Sequence, residues 1–156
     1  MKSIVVYYSY GGNTKRIAQK IQEFLETDVV EIKTVHPYTG SYDDVVEQGH
    51  QEVNQGFMPE IEPLEIDFSQ YDVIVIGTPV WWYTFAPAVK TFLNSADFSG
   101  KEIYPFATNG GWIGHTFQDF QDACNKAKVH QGLNVRFNEN MQLTSEEAIQ
   151  KWTNEI

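Results

Sequence analysis

The sequence has one cysteine, Cys124, and no apolar run long enough to cross a bilayer. A single thiol cannot form an internal disulfide, a dithiol redox pair or a multi-cysteine metal site, so any redox chemistry must come from a bound cofactor. A membrane-spanning helix needs about 20 mostly apolar residues, and the start of the chain is too short for a secretory signal. We therefore expect a cytoplasmic protein without membrane insertion.

Basic residues are scarce, since 11 lysines and arginines stand against 21 acidic residues and give a formal net charge of -10. This charge repels nucleic acid and anionic membranes and favours docking on basic partner proteins. Solubility alone would also account for an acidic surface. The four histidines have no spacing suited to a metal site. We expect them at the surface, and we expect neither a metal ligand nor a catalytic side chain.

Strand and helix patterns alternate along a chain of single-domain length, residues 1–156. Runs rich in β-branched and aromatic residues predict four strands that begin near Ile4, Val29, Asp72 and Glu102, and an alternating segment predicts a fifth that begins at Leu133. Apolar residues spaced three and four apart predict five helices, at about 14–26, 42–54, 87–96, 117–127 and 144–152. Pro105 lacks an amide donor and predicts a bulge or irregular pairing in the fourth strand. Thr144 and Glu147 have the spacing of a capping box.

This alternation predicts an α/β fold in which a five-stranded parallel sheet is covered by helices on both faces. Such a doubly wound, three-layer α/β/α sandwich binds ligands beyond the carboxyl ends of its strands. The loops after strands one, three and four therefore carry the candidate site.

The first loop, residues 9–14, has the sequence Ser-Tyr-Gly-Gly-Asn-Thr and joins a buried strand to a helix. Its glycines allow the backbone to approach a ligand closely, and the helix start supplies free amides that favour a phosphate. The spacing matches neither a P-loop nor a classical dinucleotide fingerprint. A tight turn whose Asn13 or Thr14 caps the helix would explain the same residues.

The second loop, residues 78–84, contains three consecutive aromatic residues, Trp81, Trp82 and Tyr83. Consecutive side chains cannot all enter one core face, so we expect at least one ring to stack on a flat conjugated ligand. A cover for the end of the sheet or a protein interface would also use such rings. The third loop, residues 108–114, adds glycines, small polar side chains and Trp112 at the same predicted edge. Phosphate donors, stacking rings and free amides together predict a phosphorylated heterocyclic cofactor.

In these loops the sequence resembles short-chain members of the flavodoxin family, particularly those with paired tryptophans after strand three. The resemblance implies the strand order 2-1-3-4-5 and non-covalent binding of FMN. It places the phosphate on the first loop, the ribityl chain and isoalloxazine ring on the second, and the ring's polar edge on the third. The candidate cofactor contacts are Ser9, Tyr10, Gly11, Gly12, Asn13, Thr14, Thr78, Pro79, Val80, Trp81, Trp82, Tyr83, Thr108, Asn109, Gly110 and Gly111.

Two positions depart from the pattern of the family. Tyr10 replaces a smaller hydroxyl residue that many members have, and Tyr83 replaces a glycine that often follows the second tryptophan. The resemblance implies an electron-transfer protein whose acidic surface docks on a basic reductase or acceptor. An NAD(P)H-dependent quinone or FMN reductase on the same fold is the alternative, and a binding module without redox function is a third possibility.

Overall fold

Runs of β-branched and aromatic residues form the strands, and amphipathic segments form the helices that cover them. The computed structural model describes residues 1–156. The strands are β1 (Ser3–Tyr7), β2 (Asp28–Glu31), β3 (Val73–Trp81), β4 (Thr84–Phe85), β5 (Glu102–Asn109), β6 (Lys128–Val129), β7 (Leu133–Asn138) and β8 (Met141–Gln142). The helices are α1 (Asn13–Leu25), α2 (Tyr42–Gln55), α3 (Pro87–Leu93), α4 (Thr116–Ala123) and α5 (Glu146–Thr153), with a 3-10 turn at Phe68–Gln70. The predicted alternation of strands and helices is confirmed.

The sheet runs in the order β2-β1-β3-β5-β7-β8, with β4 beside β3 and β6 beside β5. The strands that the sequence predicts are β1, β2, β3, β5 and β7, which pair in parallel. The prediction of a five-stranded, wholly parallel sheet was incomplete. Three two-residue strands are added, and β4 and β8 are antiparallel because each follows a tight reversal of the chain. Pairs this short leave no apolar run to recognise in the sequence.

An apolar core fills each side of the sheet. On one side α1 and α5 contribute Ile17, Ile21 and Ile149, and on the other α3 and α4 contribute Phe92 and Phe120. Both faces of β1 and β3 are thereby buried, which explains why their sequences are apolar without alternation. The carboxyl ends of the parallel strands consequently open at one common edge.

β5 has no bulge at Pro105, because it pairs continuously with β3 and matches Pro105 with Ile76. The other expectation, irregular pairing, is confirmed on the opposite side of the strand. On its other side, β5 pairs with β6 only at Glu102 and Ile103, and with β7 only from Phe106 onward. Alternate residues of a strand direct their backbone groups to the same neighbour. Since the Ile103 carbonyl accepts from the His130 amide on this side, the missing donor of Pro105 falls in the gap between β6 and β7.

Three smaller predictions, on the cap of α5, the histidines and Cys124, can be compared with the structure. The predicted capping box is absent: Ser145, rather than Thr144, caps α5 and accepts from the Ala148 amide at 3.1 Å. His50 and His130 are half-buried rather than at the surface. The side chain of Cys124 is buried in the core as expected, and burial raises the pKa of its thiol to about 11. None of the helices has the length and apolarity to span a membrane.

Candidate functional site

The three loops follow β1, β3 and β5, which are neighbours in the sheet, so they meet at its carboxyl edge. A direct bond joins the first loop to the third, because the hydroxyls of Thr14 and Thr108 lie 2.7 Å apart. Both side chains are almost completely buried, at 1% and 3% exposure. The predicted meeting of these two loops is therefore fixed by a buried polar contact.

The first loop presents a run of unpaired amides. Gly11 and Gly12 have φ of 84° and 97°, which favour glycine. Gly12 begins α1 without any side-chain cap, so the alternative that Asn13 or Thr14 caps this helix is wrong. The backbone amides of residues 9–14 donate to no protein acceptor, and the next amide, Lys15, donates to Ser9 Oγ at 3.1 Å. Free amides at a helix start form a binding site for an anion.

The side chains of Asn13 and Thr14 bond elsewhere in the protein. Asn13 Nδ2 donates to the Glu139 carbonyl at 2.9 Å, and the Thr14 hydroxyl is engaged with Thr108. The structure therefore offers the first loop's backbone, together with the partly exposed Ser9, as its principal donors.

The second loop is a short hairpin. β3 ends at Trp81. The turn is formed by Trp82 and Tyr83, with φ of 51° and 72°, and the chain returns in β4. The buried Thr78 fastens the base of this hairpin, since its hydroxyl accepts from the Ala86 amide at 3.0 Å and donates to the Pro79 carbonyl at 2.8 Å. The three aromatic residues consequently project in different directions.

Trp81 lies in an edge-to-face cluster with Tyr8, Tyr10 and Tyr38, whose ring centroids are 6.1, 5.9 and 4.9 Å from its own. Trp82 stacks on His50 at 4.0 Å. The ring centroid of Tyr83 lies 6.4 Å from that of Trp112 in the third loop. One tryptophan therefore joins the interior, while the other aromatic rings of the hairpin remain at the surface.

Trp82 is also held at its polar end. The indole Nε1 of Trp82 donates to the Val46 carbonyl of α2 at 3.0 Å. A cavity of about 340 Å³ opens between α2, the first loop and the hairpin, and all of its lining residues are apolar or aromatic. They are Tyr10, Tyr42, Val45, Val46, Val80, Trp81 and Trp82. A space of this size and lining suits a flat apolar ring system.

A larger cavity, of about 750 Å³, lies at the amino end of the sheet, away from the three loops. Its carboxylates Asp67 and Asp97 accept hydrogen bonds from the nearby Ser69 and Ser99. These bonds are local turns, and no unpaired helix start faces this space. The smaller aromatic cavity is the better candidate because it adjoins the free amides of the first loop.

A buried carboxylate lies behind the aromatic cluster. Glu52, which is 8% exposed, accepts from the Tyr38 hydroxyl at 2.6 Å and from Gln48 Nε2 at 2.8 Å. Burial, followed by the bond to Glu52, raises the pKa of Tyr38. Burial is also the main cause of the raised pKa of Tyr8. Both phenols stay neutral at physiological pH and present uncharged rings to the site.

The third loop is bonded mainly to β7. Asn109 Nδ2 donates to Asn134 Oδ1 at 2.6 Å, and Asn109 Oδ1 accepts from the Gly111 amide at 2.9 Å. Gly111 has φ of 127°, and a Cβ there would lie 3.0 Å from the Arg136 guanidinium. Trp112 is 70% exposed. The loop therefore has a hydrogen-bonded backbone and a largely exposed ring at its tip, whose aromatic neighbour is Tyr83.

Sequence patterns missed several residues that shape the site. Tyr38 and Glu52 belong to a weakly patterned segment after β2, and Glu139 lies in the turn between β7 and β8, far away in the sequence. His115 and Thr84 both bond to Asp119 at the start of α4. Only the apolar spacing of Val45 and Val46 was visible as a signal. No cluster of three or more histidine, cysteine or acidic side chains is placed to hold a metal ion.

Comparisons with known proteins agree with this geometry. The flavodoxin family profile matches residues 2–156. A candidate flavoprotein from Bacteroides eggerthii has a TM-score of 0.85 at 28% identity, covering 99% of this chain and 97% of that one. One from Bacteroides uniformis has 0.85 at 26% identity, with coverage of 98% and 97%.

A flavoprotein from Lactobacillus acidophilus, solved in complex with FMN, has a TM-score of 0.79 at 24% identity, covering 97% of this chain and 98% of that one. The search of curated proteins gave no significant match. The family profile spans nearly the whole chain, and the fold matches over a similar length. The chain belongs to the flavodoxin family.

Proposed function

We propose that this protein binds FMN across its three loops and serves as an electron carrier. The observation that carries the proposal is the run of free amides at residues 9–14, ahead of a helix without a side-chain cap. Nothing in the protein satisfies these donors, and a phosphate group would accept hydrogen bonds from them and match the sign of the helix dipole. Membership of the flavodoxin family and the FMN complex of a structural neighbour support the same ligand.

The rest of the site fits the other parts of FMN. Thr78, Pro79 and the hairpin would contact the ribityl chain and ring, and the backbone of the third loop would meet the ring's polar edge. Neutral phenols and indoles suit an aromatic heterocycle because they add stacking area without charge. The bound flavin supplies the redox chemistry, and the protein supplies binding, orientation and shielding from water.

A carrier fits this chain better than a turnover enzyme. No side chain that faces the aromatic cavity has an acidic or basic group, since its lining is wholly apolar and aromatic. The net charge of -10 would draw the protein to basic reductase or acceptor domains, in encounters that weaken with salt. We propose the cytoplasm as its location, which suits a chain with one reduced thiol.

Spectroscopy of the purified protein tests FMN binding. The holoprotein should show the visible absorption of flavin, and the apoprotein should quench the fluorescence of added FMN at one equivalent. Riboflavin lacks the phosphate and should bind more weakly than FMN, because it cannot form hydrogen bonds to the amides of the first loop. A colourless protein that takes up neither flavin would overturn the proposal. Rapid bleaching by NADPH alone would favour the reductase instead of the carrier.

A further inference from the structure

The turn between β7 and β8 contacts the start of α1. Two backbone carbonyls of this turn accept side-chain hydrogen bonds from α1: Glu139 from Asn13 Nδ2 and Asn140 from Arg16 Nη2, each at 2.9 Å. The partners are 126 and 124 residues apart in the chain. The first loop is therefore attached at its helical end to a hairpin at the far side of the sequence.

Arg16 lies along this hairpin instead of reaching toward the free amides. Its guanidinium is 4.9 Å from the centre of the Phe137 ring in β7. Its Nε is buried and has no hydrogen-bond partner. A buried donor left unpaired is unfavourable, and the contacts that offset this cost are those with the Phe137 ring and the Asn140 carbonyl.

The hairpin is itself well anchored. The Arg136 carbonyl accepts from the Leu143 amide at 2.8 Å, and the Arg136 amide donates to Thr144 Oγ1 at 2.8 Å. β7 also pairs with the central strand β5. Glu139 has φ of 53°, so the direction of its carbonyl depends on a backbone conformation that few residues adopt readily.

We propose that this turn braces the first loop, and that Asn13 and Arg16 are positioning residues that act through its two carbonyls. The brace holds the amides of residues 9–14 in the arrangement that receives the phosphate. Asn13 would thus contribute to phosphate binding through its own amide and through the turn, and not through a direct contact of its side chain. This inference rests on the proposed binding of FMN.

A brace on the phosphate end predicts a selective loss of affinity. Asn13→Ala removes one hydrogen bond to the turn, so the Kd for FMN should rise roughly fivefold. The Kd for riboflavin should stay within about twofold, since the lining of the aromatic cavity includes no residue of the turn. Equal losses for both flavins would indicate a merely structural effect and overturn the proposal.

A double-mutant cycle separates the brace from a direct contact. Glu139→Pro cannot adopt the positive φ of the turn and displaces its carbonyl, so it should lower the ratio of FMN to riboflavin affinity as Asn13→Ala does. In the Glu139→Pro background, Asn13→Ala should cause little further loss. A full additional loss would show that Asn13 touches the phosphate directly, and would overturn the proposal.

Two turn variants complete the design. Glu139→Asn tolerates the left-handed conformation and keeps the carbonyl in place, so it should preserve the affinity ratio of the wild type. Glu139→Gly accepts the same φ and should also preserve the ratio. If the proline variant does not fold, Arg16→Ala replaces it, because it removes the second hydrogen bond to the turn and should lower the ratio. A wild-type protein that binds neither flavin would refute the proposed function, whereas normal FMN binding with an unchanged ratio in Asn13→Ala would refute only the brace.

Discussion

The buried bond between Thr14 and Thr108 allows a quantitative test of how the first and third loops are joined. The two hydroxyls lie 2.7 Å apart, neither has another protein partner outside this pair, and both residues are almost fully buried. Thr108→Val replaces one hydroxyl by a methyl group of similar size and leaves the Thr14 hydroxyl unpaired. An unsatisfied buried hydroxyl costs about 1–3 kcal/mol. We expect about 2 kcal/mol from either single variant.

The double variant Thr14→Val with Thr108→Val removes both polar groups, so no orphan remains. We expect it to lose less than about 1 kcal/mol, and hence to be more stable than either single variant. Urea unfolding of the apoprotein measures this, because at a slope of about 2 kcal/mol per molar urea the single variants should shift the midpoint by about 1 M. Additive losses in the double variant would refute the reasoning.

Three further predictions use other parts of the fold. Gly77→Ala would place a Cβ 2.1 Å from Phe106 Cζ, so it should lower the free energy of unfolding by about 2–3 kcal/mol, measured by urea titration; an unchanged midpoint would contradict this packing. In Gly12→Ala the new Cβ meets no atom within 4 Å, so it should cost only about 1–2 kcal/mol of strain. Its Kd for FMN should nevertheless rise, by fluorescence titration, because the free amides turn away from the phosphate; wild-type affinity would count against the first loop. Stability should fall as pH rises from about 9 toward 11, because the folded state holds the pKa of Cys124 at about 11 and raises that of Tyr38 while the unfolded chain releases these protons earlier. Urea midpoints at about pH 8 and about pH 10.5 measure the decline, and Cys124→Ala should make it shallower; an identical decline in that variant would exclude the thiol.

The sequence was sufficient for the main strands because burial on both faces produces runs such as Ile4–Tyr8 and Val73–Ile76, which helices of this length do not share. The effect of Pro105 on pairing and the existence of the short strands depend on where neighbouring strands end. No local sequence pattern predicts those end points. The same holds for β8, whose two residues pair only because the chain reverses at Glu139.

The three loops of the site were predictable as a group because parallel strands end at one edge. The partners of their side chains were not. Asn13 meets Glu139 and Thr14 meets Thr108 across separations of 126 and 94 residues, which depend on sheet order and register. Likewise, the sequence of three adjacent aromatic residues does not predict where their rings point. Those directions are set by a turn at Trp82 that glycine or asparagine would normally form.

That hairpin turn has a consequence for engineering. Trp82 and Tyr83 both hold φ values in the left-handed region, a conformation that costs a non-glycine residue about 1 kcal/mol or more. The native chain is therefore less stable than its backbone allows, by about 2 kcal/mol at this one turn. Replacing Tyr83 alone with glycine should relieve one strained position and stabilise the apoprotein, because the contacts of Trp82 with His50 and with the Val46 carbonyl stay in place. Under the proposed function, the thermal stability of the apoprotein and contact with flavin oppose each other at Tyr83, and a screen for heat resistance alone would select against that contact.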